Sequence, residues 1–90
     1  MQRALVIQPA TTPDQWAARY HLDEIPIPSP GKNEILVKII AVGLNPADWK
    51  MPKYDVLIPK EYPAIIGQDV AGDVENVGED VESFQKGDRV

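Results

Sequence analysis

The chain has 90 residues, 43% of them apolar, a formal net charge of −5 and no cysteine. A chain of that length forms one small domain and buries only about two-thirds of its unfolded surface. The acidic balance, with no Lys/Arg cluster to offset it, argues against a nucleic-acid partner, and the lack of cysteine excludes a disulfide framework and a thiolate metal site.

In chain order, the opening MQRALVIQP carries an apolar run only from Ala4 to Ile7. That is too short for a signal peptide or a membrane span, so a cytoplasmic protein without a membrane partner is expected. Arg3 to Gln8 reads as a first strand, with Leu5 and Ile7 on one face and Ala4 and Val6 on the other, ended by Pro9. Thr12-Pro13-Asp14-Gln15 fits a helix start: threonine caps, proline takes the first position and glutamine reaches back. The helix should be short, because Arg19 to Ile25 alternates as a strand does. Ile25 to Gly31, with three prolines, reads as an extended connection inside the domain that ends in a turn.

Glu34 to Val42 is the clearest strand. Ile35, Val37, Ile39 and Ala41 share one face; Leu36, Lys38, Ile40 and Val42 share the other. The second face is apolar enough to be partly covered. Gly43-Leu44-Asn45-Pro46 breaks the strand, and Pro46 to Met51 can form one helical turn with Asn45 as its cap. Pro52 to Tyr62 lacks periodicity and reads as a surface loop.

The last stretch, Pro63 to Val90, is punctuated by Gly67, Gly72, Gly78 and Gly87, with valines between them. Mid-strand glycine marks bulges, barrel corners and close backbone approaches. A sharply bent antiparallel ribbon is expected, with Gly78 to Glu82 as its polar turn, of the kind that a small β-barrel needs. Asp69 lies in this apolar ribbon and should be buried against a partner, Arg89 being one candidate. Glu79, Asp80, Glu82 and Asp73 read as a solvated acidic turn.

Several chemistries are excluded. Gly67 to Val74 has the glycine spacing of a phosphate loop but not its Lys-Ser/Thr ending, and no G-x-G-x-x-G occurs. His21 is the only histidine, and one imidazole without cysteine does not make a typical zinc site.

The pattern P-x-x-x-G-x-D-x-A-G-x-V-x-x-V-G-x-x-V-x-x-F-x-x-G-D-R-V, with EILVKIIAVGLNPADWK upstream, resembles the medium-chain dehydrogenase/reductase superfamily. The resemblance implies a mainly β, GroES-like, partly open barrel with short helical turns. It makes residues 1–90 an N-terminal fragment of the catalytic domain, truncated at its C-terminal end, with a Rossmann domain to follow. Where zinc-dependent members carry cysteine and then Gly-His-Glu, this chain has Gly43-Leu44-Asn45 and Gly67-Gln68-Asp69. It is therefore similar to the zinc-free quinone oxidoreductases and enoyl reductases. Asn-Pro-Ala-Asp-Trp-Lys is most like fungal trans-acting enoyl reductases that serve polyketide synthases.

By that resemblance the parent enzyme, a monomer or a homodimer, uses NADPH to reduce the activated double bond of an enoyl thioester, or a quinone. The turn Asn45, Ala47, Asp48, Trp49 and Lys50 then faces the cofactor, and Lys50 is the catalytic candidate, donating to the enolate oxygen or to cofactor phosphate. Plainer roles stand beside these. Asn45 is a helix cap, Asp48 a first-turn carboxylate, Trp49 a core anchor and Lys50 a solvated surface lysine. Tyr54, Ile58 and Tyr62 either line a substrate pocket or pack under the loop. The fragment alone should be inactive, with no complete cofactor site. The alternative is a non-enzymatic binding module, since the same barrel resembles the GroES co-chaperonin.

Overall fold

The computed structural model describes residues 1–9 and 12–90. They divide into two compact units, Met1–Pro26 with Leu44–Gln68, and Ile27–Gly43 with Asp69–Val90.

In the first unit, β1 (Gln2–Ile7) pairs antiparallel with β2 (Tyr20–Ile25), in a register running from Gln2 opposite Ile25 to Ile7 opposite Tyr20. The chain between them holds a 3-10 helix over Pro13–Arg19. Thr12 stands at its cap position without a side-chain hydrogen bond; its carbonyl accepts from the Gln15 N–H at 3.1 Å instead. Burial in β1 does not follow its two faces, since Val6 and Ile7 are both fully buried while Leu5 is exposed. Burial here follows position along the strand. At its Ile7 end β1 gains a second neighbour, Ala64, with Ile7 N–H to Ala64 O at 2.7 Å and the reciprocal bond at 2.9 Å. Val6, Ile7, Ala64 and Pro52 form the small core of this unit.

The same unit carries α1 (Ala47–Tyr54), longer than the single turn expected and running through Pro52. The segment expected to be a loop from Pro52 therefore starts three residues later, at Asp55.

In the second unit, β3 (Ile35–Gly43) pairs antiparallel with β4 (Asp69–Val77), with register shifts at Leu36/Val37 and Ile39/Ala41. Gly72 lies opposite Ile39 beside the second shift. A Cβ at Gly72 would run into the Lys38 carbonyl, and one at Gly78 into the Gly31 carbonyl. At both positions the backbones approach as closely as mid-strand glycine suggested.

The bent ribbon also forms. Gly72 and Val90 exchange N–H to O bonds at 2.9 Å each, and Asp73 bridges Arg89. The connection between these arms is longer than Gly78 to Glu82, because the first paired residue on the return is Gly87, whose N–H reaches Val74 O at 2.8 Å. Over its whole length β4 is paired with β3 rather than only with its own return arm.

Two expectations are corrected in this unit. Ile40 and Val42, on the face of β3 expected to be covered, are more than half exposed, as is Ile39 on the opposite face, because among the described residues the unit contains no helix or further named strand to lay over them. Asp69 is exposed at the start of β4, opposite Gly43, and Arg89 pairs with Asp73 (2.6 Å).

The architecture is mainly strand with two short helical segments. The strands form two two-stranded sheets, and no closed barrel is present among the described residues. No helix among them is long and apolar enough to cross a membrane.

Candidate functional site

The corner Asn45–Lys50 is built by the first turn of α1. The cap position falls on Pro46, whose φ of −55° and ψ of −32° are already helical and which makes no side-chain cap bond. With Pro46 already helical, the capping contact is made on the residue before it, Asn45. The side-chain contact runs the other way: Asp48 Oδ2 accepts from the Asn45 N–H at 2.9 Å, the reach-back arm of a capping box. Asp48 N–H reaches Asn45 O at 3.0 Å, and Lys50 N–H reaches Pro46 O at 3.0 Å. A carboxylate in the first turn is also favoured by the helix dipole.

Pro52 should break this helix, because it has no N–H to give to the carbonyl four residues back. That carbonyl belongs to Asp48, and the Tyr20 hydroxyl donates to it at 2.6 Å. The C-terminal end is closed by Asp55 in the left-handed region (φ 53°, ψ 46°), with its N–H on Met51 O.

Arg19 holds an orphan carbonyl at the C-terminal end of the helix, that of Pro52. Its guanidinium is 2% exposed. Nη1 donates to Pro52 O at 2.8 Å and to Asp55 Oδ1 at 3.2 Å, Nε to Gln8 O at 2.9 Å, and Nη2 to Tyr62 Oη at 3.2 Å. Its carboxylate partner Asp55 is 73% exposed, so the buried charge rests mainly on two backbone carbonyls and a phenol. One of those carbonyls lies at the negative end of the helix dipole.

Trp49 is not the core anchor expected; its ring is 41% exposed. It leans on Trp16 at 6.2 Å between centroids, and the Lys50 ammonium lies 5.5 Å from its ring. The Lys53 ammonium lies 5.4–5.8 Å from the rings of Tyr54, Trp49 and Trp16. These are cation–π distances, and they tie both lysines to the aromatic surface of α1.

The predicted residues therefore fall in one turn. Asn45, Ala47 and Asp48 are half-buried, while Trp49 and Lys50 face solvent. Asp48 Oδ1 is buried and has no hydrogen-bond partner among the described residues. Tyr20 is held above the usual tyrosine pKa by burial first and then by the Asp48 carboxylate, with Arg19 opposing. Tyr54 is exposed, and Tyr62 gives its oxygen to Arg19, which packs it into the loop's anchor.

Sequence reasoning missed Arg19 and Tyr20 as determinants of this corner. From the sequence both read as the start of an alternating strand, which Tyr20 is. The available signal was Pro52: a proline inside a helix frees a carbonyl that needs a donor from elsewhere.

Gly43 and Asp69 are neighbours across the β3–β4 ladder. His21 is exposed on β2.

The sequence profile of the alcohol dehydrogenase GroES-like domain matches residues 31–90. The chain belongs to this family. Within it, the GroES-like domain here is 48% identical over 69 residues to a chloroplast quinone-oxidoreductase of Triphysaria versicolor, a match that covers 74% of this chain and 21% of the relative. It is 36% identical over 72 residues to the acryloyl-coenzyme A reductase of Sulfurisphaera tokodaii, covering 79% of this chain and 21% of that protein. The crystal structure of Escherichia coli quinone oxidoreductase complexed with NADPH superposes with a TM-score of 0.81 at 26% identity, over 98% of this chain and 26% of that one. The chain thus spans about a fifth of the length of these curated relatives, and it is a quinone-oxidoreductase-like part of the medium-chain dehydrogenase/reductase superfamily.

Proposed function

We propose that this GroES-like domain is the substrate-side part of a zinc-independent, NADPH-dependent oxidoreductase that reduces a quinone or the activated double bond of an enoyl thioester. The observation that carries the reading is the Asn45–Lys50 turn. It combines an exposed ammonium, an exposed indole face and a carboxylate oxygen with no donor, in a domain whose solved relative is an NADPH complex. The names of two relatives, a quinone oxidoreductase and an acryloyl-coenzyme A reductase, match the two substrate classes.

The residues fit a nicotinamide nucleotide on the chemistry of their donor set. The unsatisfied Asp48 oxygen is an acceptor that a ribose hydroxyl would complete. Lys50 offers three donors and a positive charge. When bound, the nucleotide supplies the hydride. The chain's own task is to stabilise the charge that then builds on the substrate's carbonyl oxygen. Lys50 does this by donating a hydrogen bond to that oxygen, in the role a Lewis-acid metal fills in zinc-dependent members. The Trp49 ring lies 5.5 Å from that ammonium and steadies its position by a cation–π contact. An acyl chain tethered to a polyketide synthase is one thioester that this chemistry accepts.

The test is turnover by the full-length polypeptide that carries these residues, followed as loss of NADPH absorbance. A quinone and a short enoyl thioester are offered separately, with and without a chelator. Turnover of either substrate, insensitive to the chelator, is expected, and Lys50→Ala should lower it by about a hundred-fold or more, the typical effect of removing one oxyanion donor. No turnover of either class, or loss of activity to the chelator, would overturn the reading.

A further inference from the structure

We propose that Arg19 is a positioning residue for the Asn45–Lys50 corner: its guanidinium fixes the C-terminal end of α1 through the Pro52 carbonyl and Asp55, while its neighbour Tyr20 fixes the N-terminal half through the Asp48 carbonyl. The proposal rests on the functional reading of that corner, but the contacts themselves stand independently of it.

Three observations converge. First, Arg19 is nearly fully buried and spends its donors on four groups, Gln8 O, Pro52 O, Asp55 Oδ1 and Tyr62 Oη. A lysine in its place offers one ammonium at one point and does not reproduce the planar fork. Second, α1 is only eight residues long and contains a proline. A helix that short is not stable on its own, so its placement is decided by whatever holds it from outside. Third, among the described residues the side-chain hydrogen bonds onto α1 carbonyls come from two consecutive residues, Tyr20 onto Asp48 O and Arg19 onto Pro52 O. They grip carbonyls four positions apart, which lie one above the other along the same side of the helix. The two grips lie on the same backbone as the β1–β2 ribbon, where Tyr20 is paired with Ile7. Asp48, Trp49 and Lys50 therefore sit where the ribbon sets them.

The structure also provides a reporter. Trp49 on α1 and Trp16 on the 3-10 helix are the chain's only two tryptophans and lie 6.2 Å apart at 40°. Their coupled circular dichroism reads the placement of α1 against the segment that bears Arg19, with no nucleotide present. Hydrogen exchange gives a second readout, with the amides of β1–β2 and of β3–β4 as internal references for folding.

The experiment compares the unaltered 90-residue chain with Arg19→Lys, Arg19→Ala and Tyr62→Phe. For Arg19→Lys the expected result is loss of the tryptophan couplet and an increase of about ten-fold in exchange at the α1 amides, the equivalent of one charge-assisted hydrogen bond. Exchange in β1–β2 and β3–β4 should be unchanged. Tyr62→Phe, which removes a bond that does not end on α1, should leave the couplet intact. Added guanidinium ion should restore the couplet in Arg19→Ala. If Arg19→Ala does not fold, the lysine variant decides the matter by itself. A couplet unchanged in Arg19→Lys would overturn the proposal, as would its loss in step with β1–β2 protection, which marks general loosening. Failure of the full-length polypeptide to turn over NADPH counts against the functional reading and leaves these readouts untouched.

Discussion

Tyr20 occupies the hydrogen bond that Pro52 vacates. The Asp48 carbonyl would take the N–H of residue 52 in an uninterrupted helix, and proline has none. The phenol of Tyr20, 28 residues away in sequence, donates there at 2.6 Å. A sequence feature that argues for ending the helix is thus matched by a donor from the neighbouring strand, and the helix continues to Tyr54.

This pairing predicts a non-additive double substitution. Tyr20→Phe leaves the Asp48 carbonyl without a donor and should cost about 1–3 kcal/mol, measured from the urea midpoint at constant slope. In a Pro52→Ala background the restored N–H closes on the same carbonyl, so the cost of Tyr20→Phe should fall. The coupling should lie at about 0.5–3 kcal/mol, and equal costs in both backgrounds would contradict the pairing.

The raised Tyr20 pKa sets an alkaline limit. Its value in the folded chain lies above 10.0, chiefly through burial and then through Asp48. The neutral phenol is therefore favoured by folding. The stability it contributes is complete below the unfolded value and is lost as pH rises through the folded one. Thermal melts should hold steady up to about pH 10 and decline above it, and Tyr20→Phe should remove this part of the decline.

Replacing Gly72 by alanine should disrupt the β3–β4 pair. The new Cβ meets the backbone carbonyl of Lys38, and backbone cannot move aside as a side chain would. Overpacking of this kind costs about 1–3 kcal/mol or more. Faster exchange confined to Ile35–Gly43 and Asp69–Val77 is the expected signature, and an unchanged pattern would contradict the close approach.

By contrast, the Arg89–Asp73 pair should matter little. Its geometry is short, at 2.6 Å, but the Arg89 side chain is 76% exposed, and exposed pairs contribute about 0–1 kcal/mol. Asp73→Asn should shift the urea midpoint slightly, and added salt should remove the difference. A large, salt-independent loss would show that the carboxylate does more than pair with Arg89.

The strands were legible because their signals are local. Glu34 to Val42 alternates, and the glycines at 72 and 78 announce close approach before any coordinates exist. Asp69 was misplaced for a related reason. Its apolar neighbours suggested burial, but burial depends on what lies over a strand, and at the start of β4 the Asp69 side chain stays exposed. Trp49 failed likewise: large aromatic rings favour interiors on average, whereas this one lines the outer side of a short helix with two lysines beside it.

The sequence by itself determined the family, the strand pattern and the turn that carries Asn45, Ala47, Asp48, Trp49 and Lys50, because spacing along the chain encodes all three. Only the tertiary structure decided how that turn is held. Arg19 and Pro52 are 33 positions apart, and no periodicity reports a bond between a guanidinium and a carbonyl freed by the end of a helix. Such groups find partners through packing, which one-dimensional order does not express.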